Sequence, residues 1–301
     1  MPRTPQLHLI ALLLAMSCAL VAFLPGDPHG NASPALAMPA ADAAKAPAAR
    51  PTGIGEEYRQ SRDLWAFFLR HAQSARDGAT LYFLSQALEE CYVISHALEE
   101  TGRERDWREV SASAGDALAG LAAKELLAAP CRGFGDQPID ARDVLALIAE
   151  SAAMDEPRAL ARMLLFRDIA APKDELVPLL QELLASRDPS VVRDVGAFLS
   201  RGETEWVFGG KAIDAHTAAI AWELAACDLG FDCGAGSRLV RTQCAFSGIC
   251  RAGSYEVALS FLEEPGELQG AQQVRGGIVK AISEGNWDWL GLGESNAVAP
   301  R

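Results

Sequence analysis

From position 55 onward the apolar residues recur at intervals of three and four, rarely two. That is the period of helices laying one stripe against their neighbours. Across Thr80–Glu100, at 100° per residue, Leu81, Phe83, Leu84, Ala87, Leu88, Cys91, Ile94 and Leu98 share an arc of about 160°. Ser85, Glu89, His96 and Glu100 take the opposite, polar side. The same period predicts helices over Glu56–Arg76, Ser113–Ala128, Ala141–Ala153, Arg158–Ala170, Asp174–Ser186, Ser190–Ser200, Ile213–Leu229, Ser237–Phe246, Tyr255–Glu263 and Leu268–Ser283. Pro130, Pro157, Pro172, Pro189, Gly230, Gly234 and Pro265 punctuate them. No stretch alternates β-branched and polar residues as a half-buried strand does. Helices of this length on short connections pack as antiparallel neighbours. The expected fold is all-α, antiparallel helical hairpins stacked as an irregular α-solenoid or bundle.

Two of the connections look alike. Asp155-Glu156-Pro157 and Asp188-Pro189 each follow a helix and open another, with prolines 32 residues apart. That is close to the period of two-helix repeats. Asp155 and Asp188 suit the N-cap, and the prolines suit the first helical turn. The segment from Ala185 to Gly202 resembles the second half of a Sel-type repeat, a relative of the tetratricopeptide repeat. Asp188, Gly196 and Gly202 match that family's helix-opening aspartate, its small residue where helices cross, and its closing glycine. Ala226-Cys227-Asp228-Leu229-Gly230 with Cys233 resembles the junction of cysteine-rich secreted members, where a disulfide ties one helix to the next. The resemblance covers about a third of the chain and implies stacked helical pairs. The rest is like an uncharacterised exported bacterial protein.

The N-terminus has a different composition. Arg3 precedes sixteen apolar residues, Leu9–Leu24, then Pro25-Gly26-Asp27-Pro28. A basic residue ahead of such a run is the layout of an export signal, and the run is just short of a usual spanning helix. Residues 1–26 are therefore expected to be an export signal or an N-terminal membrane anchor. Residues 27–53, rich in Ala and Pro, cannot bury enough surface to fold and are expected to be a linker. An all-helical domain over 54–295 and a tail over 296–301 complete the organisation.

The formal charge of the whole chain is −13. Removing Arg3, Lys45, Arg50, Asp27 and Asp42 with the first fifty residues leaves −14 on the folded part. An acidic domain without a basic stripe cannot release counterions from phosphates, so nucleic acid is not expected as a partner. Contact with a membrane is expected only through the N-terminal segment, if it stays uncleaved.

Beyond Cys18 in the leader, Cys91, Cys131, Cys227, Cys233, Cys244 and Cys250 remain. An even count in an exported chain reads as three disulfides, with fifteen possible connectivities. Cys227/Cys233 and Cys244/Cys250 are each C-x5-C at the end of a predicted helix, enclosing Gly230 and Gly248. A glycine in the left-handed position can bring residues i and i+6 together, which favours the local pairs. The crossed pairing, Cys227–Cys244 with Cys233–Cys250, is the alternative, and Cys91–Cys131 follows by elimination. A zinc site from the last four cysteines lacks the tight C-x2-C knuckle, and no C-x-x-C redox pair exists.

Candidate chemistry is sparse. Glu89, His96 and Glu100 share a helix face and could line a metal or acid–base site, against the reading of a solvated face. Asp214-x-His216 opens a helix, where an aspartate suits the helix dipole. Glu205 beside Trp206 is the candidate acid of a glycan-cleaving enzyme, since a carboxylate held against an aromatic keeps its proton. Trp287 and Trp289 either cap the last helix or anchor an interface. There is no H-E-x-x-H, G-x-S-x-G, S-x-x-K, Walker loop or dinucleotide fingerprint. These readings imply no cofactor and no metal. They favour an exported protein- or peptide-binding or structural module of the cell envelope, whose partner is not identified. The alternative is an envelope hydrolase using Glu205.

Overall fold

The computed structural model describes residues 53–103, 114–135, 137–166, 173–201 and 205–293. The expected leader, nearly all of the linker, the tail and Gly202 lie outside the described residues. Twelve α-helices occur among those described: α1 (Gly53–Gln60), α2 (Leu64–Ala72), α3 (Gly78–Arg103), α4 (Ala114–Ala128), α5 (Ala141–Ala152), α6 (Pro157–Leu164), α7 (Lys173–Ala185), α8 (Pro189–Leu199), α9 (Ala215–Asp228), α10 (Arg238–Ser247), α11 (Tyr255–Leu262) and α12 (Pro265–Glu284). A 3-10 turn, Ala129–Phe134, follows α4, and one hairpin, β1 (Glu205–Phe208) with β2 (Lys211–Asp214), precedes α9. Among the described residues the fold is all-α, as the periodicity predicts, apart from this hairpin and an isolated bridge between Gly234 and Ser254.

Local chemistry explains where helices begin. Asp63, Asp140, Glu156, Asp188, Asp214, Ser237 and Ser254 each accept a hydrogen bond from an amide of the first turn. Each satisfies a donor that the helix cannot. The cap at Asp63 divides the single helix expected over Glu56–Arg76 into α1 and α2. Asp155 is not the cap expected of it: Glu156 caps α6, and Asp155 precedes it with φ 57°. Arg187, with φ 55°, stands in the same relation to the cap Asp188. The two connections thus share one backbone turn in the register set by their prolines, with only the first cap moved from Asp155 to Glu156.

The hairpin departs from the expectation that no stretch forms a strand. Its ladder pairs Trp206 with Ile213 and Phe208 with Lys211. Gly209 and Gly210 form the turn with φ 53° and 83°, a two-residue connection with both φ positive that only glycine adopts cheaply. Four-residue strands are too short for alternation to stand out, so Gly-Gly was their one legible signal.

Two hydrophobic cores form. The smaller joins Leu64, Phe67, Tyr82, Phe83, Leu84, Phe134, Val144 and Ile148, and the larger runs from Ala161 to Leu292 around Trp222 and Phe208. A satellite of Ile94, Ala123, Leu127, Cys244 and Ala245 binds α3, α4 and α10. Helices distant in sequence therefore pack together, as in a bundle. The expected solvated face of α3 is not solvated at its N-terminal half: Ser85 is fully buried and bonds the Tyr82 carbonyl. Gly196 of α8 lies against Trp222 of α9, so close that a Cβ there would overlap the indole.

All three favoured disulfides are present: Cys91–Cys131, Cys227–Cys233 and Cys244–Cys250. Gly230 and Gly248, with φ 106° and 72°, turn the two short loops as the spacing suggests. The first bridge closes a far longer loop and removes about 4 kcal/mol of loop entropy from the unfolded chain. Three bridges are compatible with an oxidising, exported location. Among the described residues no helix is long and apolar enough to cross a membrane.

Candidate functional site

The strand alternation decides what the hairpin can do. Glu205 and Val207 face solvent, while Trp206 and Phe208 face the larger core. The carboxylate and the indole therefore point to opposite sides of β1. Across the ladder from Glu205 stands Asp214. Its carboxylate accepts from Thr217 N at 2.9 Å and Thr217 Oγ1 at 2.6 Å, committed to capping α9. Trp289 lies against Gly209 of the turn and Gly277 of α12, 5.7 Å from the Phe208 ring. Its carbonyl accepts from Gly209 N at 2.9 Å. Trp287 packs half-buried on the same core. The residues Trp206, Trp287 and Trp289 thus seat the C-terminal segment on the hairpin.

The trio Glu89, His96 and Glu100 does not assemble as a ligand set. Glu89 bonds Arg162 and accepts from Gln86, whereas His96 Nδ1 lies 2.9 Å from the Tyr92 carbonyl of its own helix. The side chain of Glu100 lies outside the described residues. Glu89 instead belongs to a buried network in which Arg162 also reaches Asp194 at 3.5 Å, and Arg193 bonds Asp194 at 2.9 Å. Burial alone would lower the proton affinity of Arg162, but Glu89 and Asp194 outweigh it and hold the guanidinium charged.

A titratable cluster forms around His216, one that single-helix spacing could not show. The Asp214 cap places His216 in the first turn of α9. Between α11 and α12 only Glu263 and Glu264 intervene, and this tight corner brings Glu263 to His216: Nε2 lies 2.6 Å from Oε2. Glu267, in the first turn of α12, accepts from Glu264 N at 3.2 Å in a capping box. One ligating atom from each of His216, Glu263 and Glu267 lies within 4.8 Å of the others. Two turns along α9, Glu223 accepts from Tyr255 Oη at 2.6 Å. Burial raises the pKa of Glu223 above the usual carboxylate range, against the pull of Tyr255 and Arg193. The hydrogen bond to Glu263 raises that of His216. The cluster draws on three helices, and its only sequence signal was Asp214-x-His216.

The surface offers two other features. An open depression of about 360 Å³ between α1 and α2 is walled by Glu57, Arg62, Asp63 and Arg70. More unusual is α4, which is apolar on both faces. Ala123 and Leu127 are buried against α3 and α10, while Leu118, Leu121 and Leu126 on the opposite side are 69%, 57% and 56% exposed. The one charged residue among them, Glu125, is paired with Arg132.

Comparison of the chain with known protein families, with curated proteins and with solved structures finds no match.

Proposed function

We propose that this chain is an exported, disulfide-stapled helical module of the cell envelope that holds a protein or peptide on the solvent face of α4, without catalysis. The observation that carries it is the exposure of Leu118, Leu121 and Leu126 on a helix whose other face is already buried. A helix at the surface ordinarily turns a polar face to water, and apolar residues on both sides call for cover on both. The three leucines span about 12 Å, two helical turns at a spacing that an amphipathic helix on the partner would match. The negative charge of the domain favours a partner whose flanks are basic. Export is supported by the apolar run after Arg3 and by three disulfides, which belong to an oxidising compartment such as the periplasm. The resemblance to Sel-type repeats, carried by the cap at Asp188 and the crossing at Gly196, supports the same class of role.

A photoreactive residue placed at position 121 in living cells tests the proposal. The expected result is one discrete adduct with another protein, absent when the probe sits at the exposed Lys280 and lost on adding Leu118→Asp. Adducts confined to this chain, or equal labelling from both positions, would overturn it.

A further inference from the structure

We infer that His216, Glu263 and Glu267 form a binding site for a divalent cation of the zinc class. The inference is independent of the role proposed for α4. The ligating atoms of the three residues converge within 4.8 Å, from the first turn of α9, the α11–α12 corner and the first turn of α12. One imidazole nitrogen with two carboxylate oxygens suits zinc and its first-row neighbours, whereas calcium takes six to eight oxygens.

A separate observation concerns the burial of Glu263. Its side chain is only 8% exposed, yet among the described residues its sole partner is His216, which is itself in the cluster. Among the described residues four other carboxylates with little side-chain exposure each pair with an arginine, while the buried Glu223 is held by Tyr255 Oη. Asp194 has Arg162 and Arg193, Glu156 has Arg158, Glu89 has Arg162 and Glu90 has Arg238. No lysine or arginine pairs with Glu263 or Glu267 among the described residues. Buried carboxylates persist when they are paired or bind a metal, and here the protein supplies no positive partner of its own beyond an imidazole.

The surrounding bonds already orient the ligands. Glu267 Oε2 accepts from Glu264 N, which leaves its other oxygen for the ion and fixes the carboxylate by the capping box. Asp214, bound to Thr217, sets the helix turn that carries His216. Such outer contacts are what a metal site needs to hold its ligands in place. His216 is 42% exposed on its side chain, so water would complete the coordination.

Calorimetric titration of the oxidised, chelator-treated full chain with zinc chloride at neutral pH tests the site. The expected result is one zinc per chain with micromolar affinity. His216→Ala should abolish binding. Glu267→Gln keeps an acceptor for the capping box and should weaken binding roughly tenfold or more. His96→Ala, whose imidazole is engaged with its own helix, should bind as the parent does. Cobalt(II) in place of zinc supplies a second readout, a visible ligand-field band that Glu267→Gln diminishes in a protein with unchanged circular dichroism. Absence of binding at 100 µM zinc, or equal binding after His216→Ala, would overturn the inference.

Discussion

At the scale of single residues the most informative group is Glu223. It was invisible in the sequence because its partner, Tyr255, sits on another helix 32 residues away. Its pKa is raised by burial, so the folded state binds a proton more tightly than the unfolded chain does. The sign follows: the stability this proton supplies is fully present below the unfolded carboxylate range and is lost as pH rises through the folded value. At neutral pH burial of this carboxyl therefore opposes folding. Glu223→Gln keeps the acceptor for Tyr255 and removes its charge. The variant should be more stable than the parent at pH 7, with the difference shrinking toward zero near pH 4, as measured by urea unfolding across that range. Destabilisation at pH 7 that shrinks toward pH 4 would overturn this and mean that the carboxylate serves Arg193 as an ion pair instead.

At the scale of elements, the helix crossings decide what the chain tolerates. Gly196 and Gly276 are both glycines inside helices, but their surroundings differ. A Cβ at Gly196 would overlap Trp222, whereas nothing lies within 4 Å of a Cβ at Gly276. Gly196→Ala should cost about 1–3 kcal/mol by overpacking, while Gly276→Ala should add about 0.5–1 kcal/mol by helix propensity. Urea midpoints of the two variants check the pair, and a loss at both would refute the crossing argument. The same contrast shows how much was legible. Periodicity placed the helices of the described region, because a stripe against a neighbour needs only local spacing. It merged α1 with α2, since the division depends on one side-chain cap at Asp63, and it missed a hairpin of two four-residue strands turned by Gly209 and Gly210. The two short disulfides were legible because a six-residue separation and a turning glycine are local properties, and Cys91–Cys131 followed by elimination. The cluster at His216 was not, because Glu263 and Glu267 reach it only through the α11–α12 corner. Nor was the second buried face of α3, where Ser85 and Glu89 looked like a solvated surface.

At the scale of the whole molecule, the two cores meet across charged groups. Glu89 belongs to α3 of the smaller core, and Asp194 belongs to α8 of the larger. Arg162 lies between them, 8% exposed, with both nitrogens of its fork engaged and its Nε without a hydrogen-bond partner. Arg158 adds a second link, packed over Tyr82 and Phe83 while bonded to Glu156 and 4.0 Å from Asp188. A hydrophobic contact would join the cores with less desolvation, so this joint is a weak source of net stability while it is whole. Broken, it is costly, because Glu89 and Asp194 would stay buried, and Glu89 would keep only the amide of Gln86. Arg162→Met should therefore destabilise the protein by about 3–5 kcal/mol and loosen the coupling between the two halves. Four of the six tryptophans, Trp206, Trp222, Trp287 and Trp289, lie in or against the larger core. In a Trp65→Phe, Trp107→Phe background, fluorescence then reports that core, while far-ultraviolet circular dichroism reports every helix. The parent should show one coincident transition by both probes, and Arg162→Met should show helix signal lost at lower urea than tryptophan burial. Coincident transitions in the variant would mean that the apolar satellite of α3, α4 and α10, not the arginine, couples the cores.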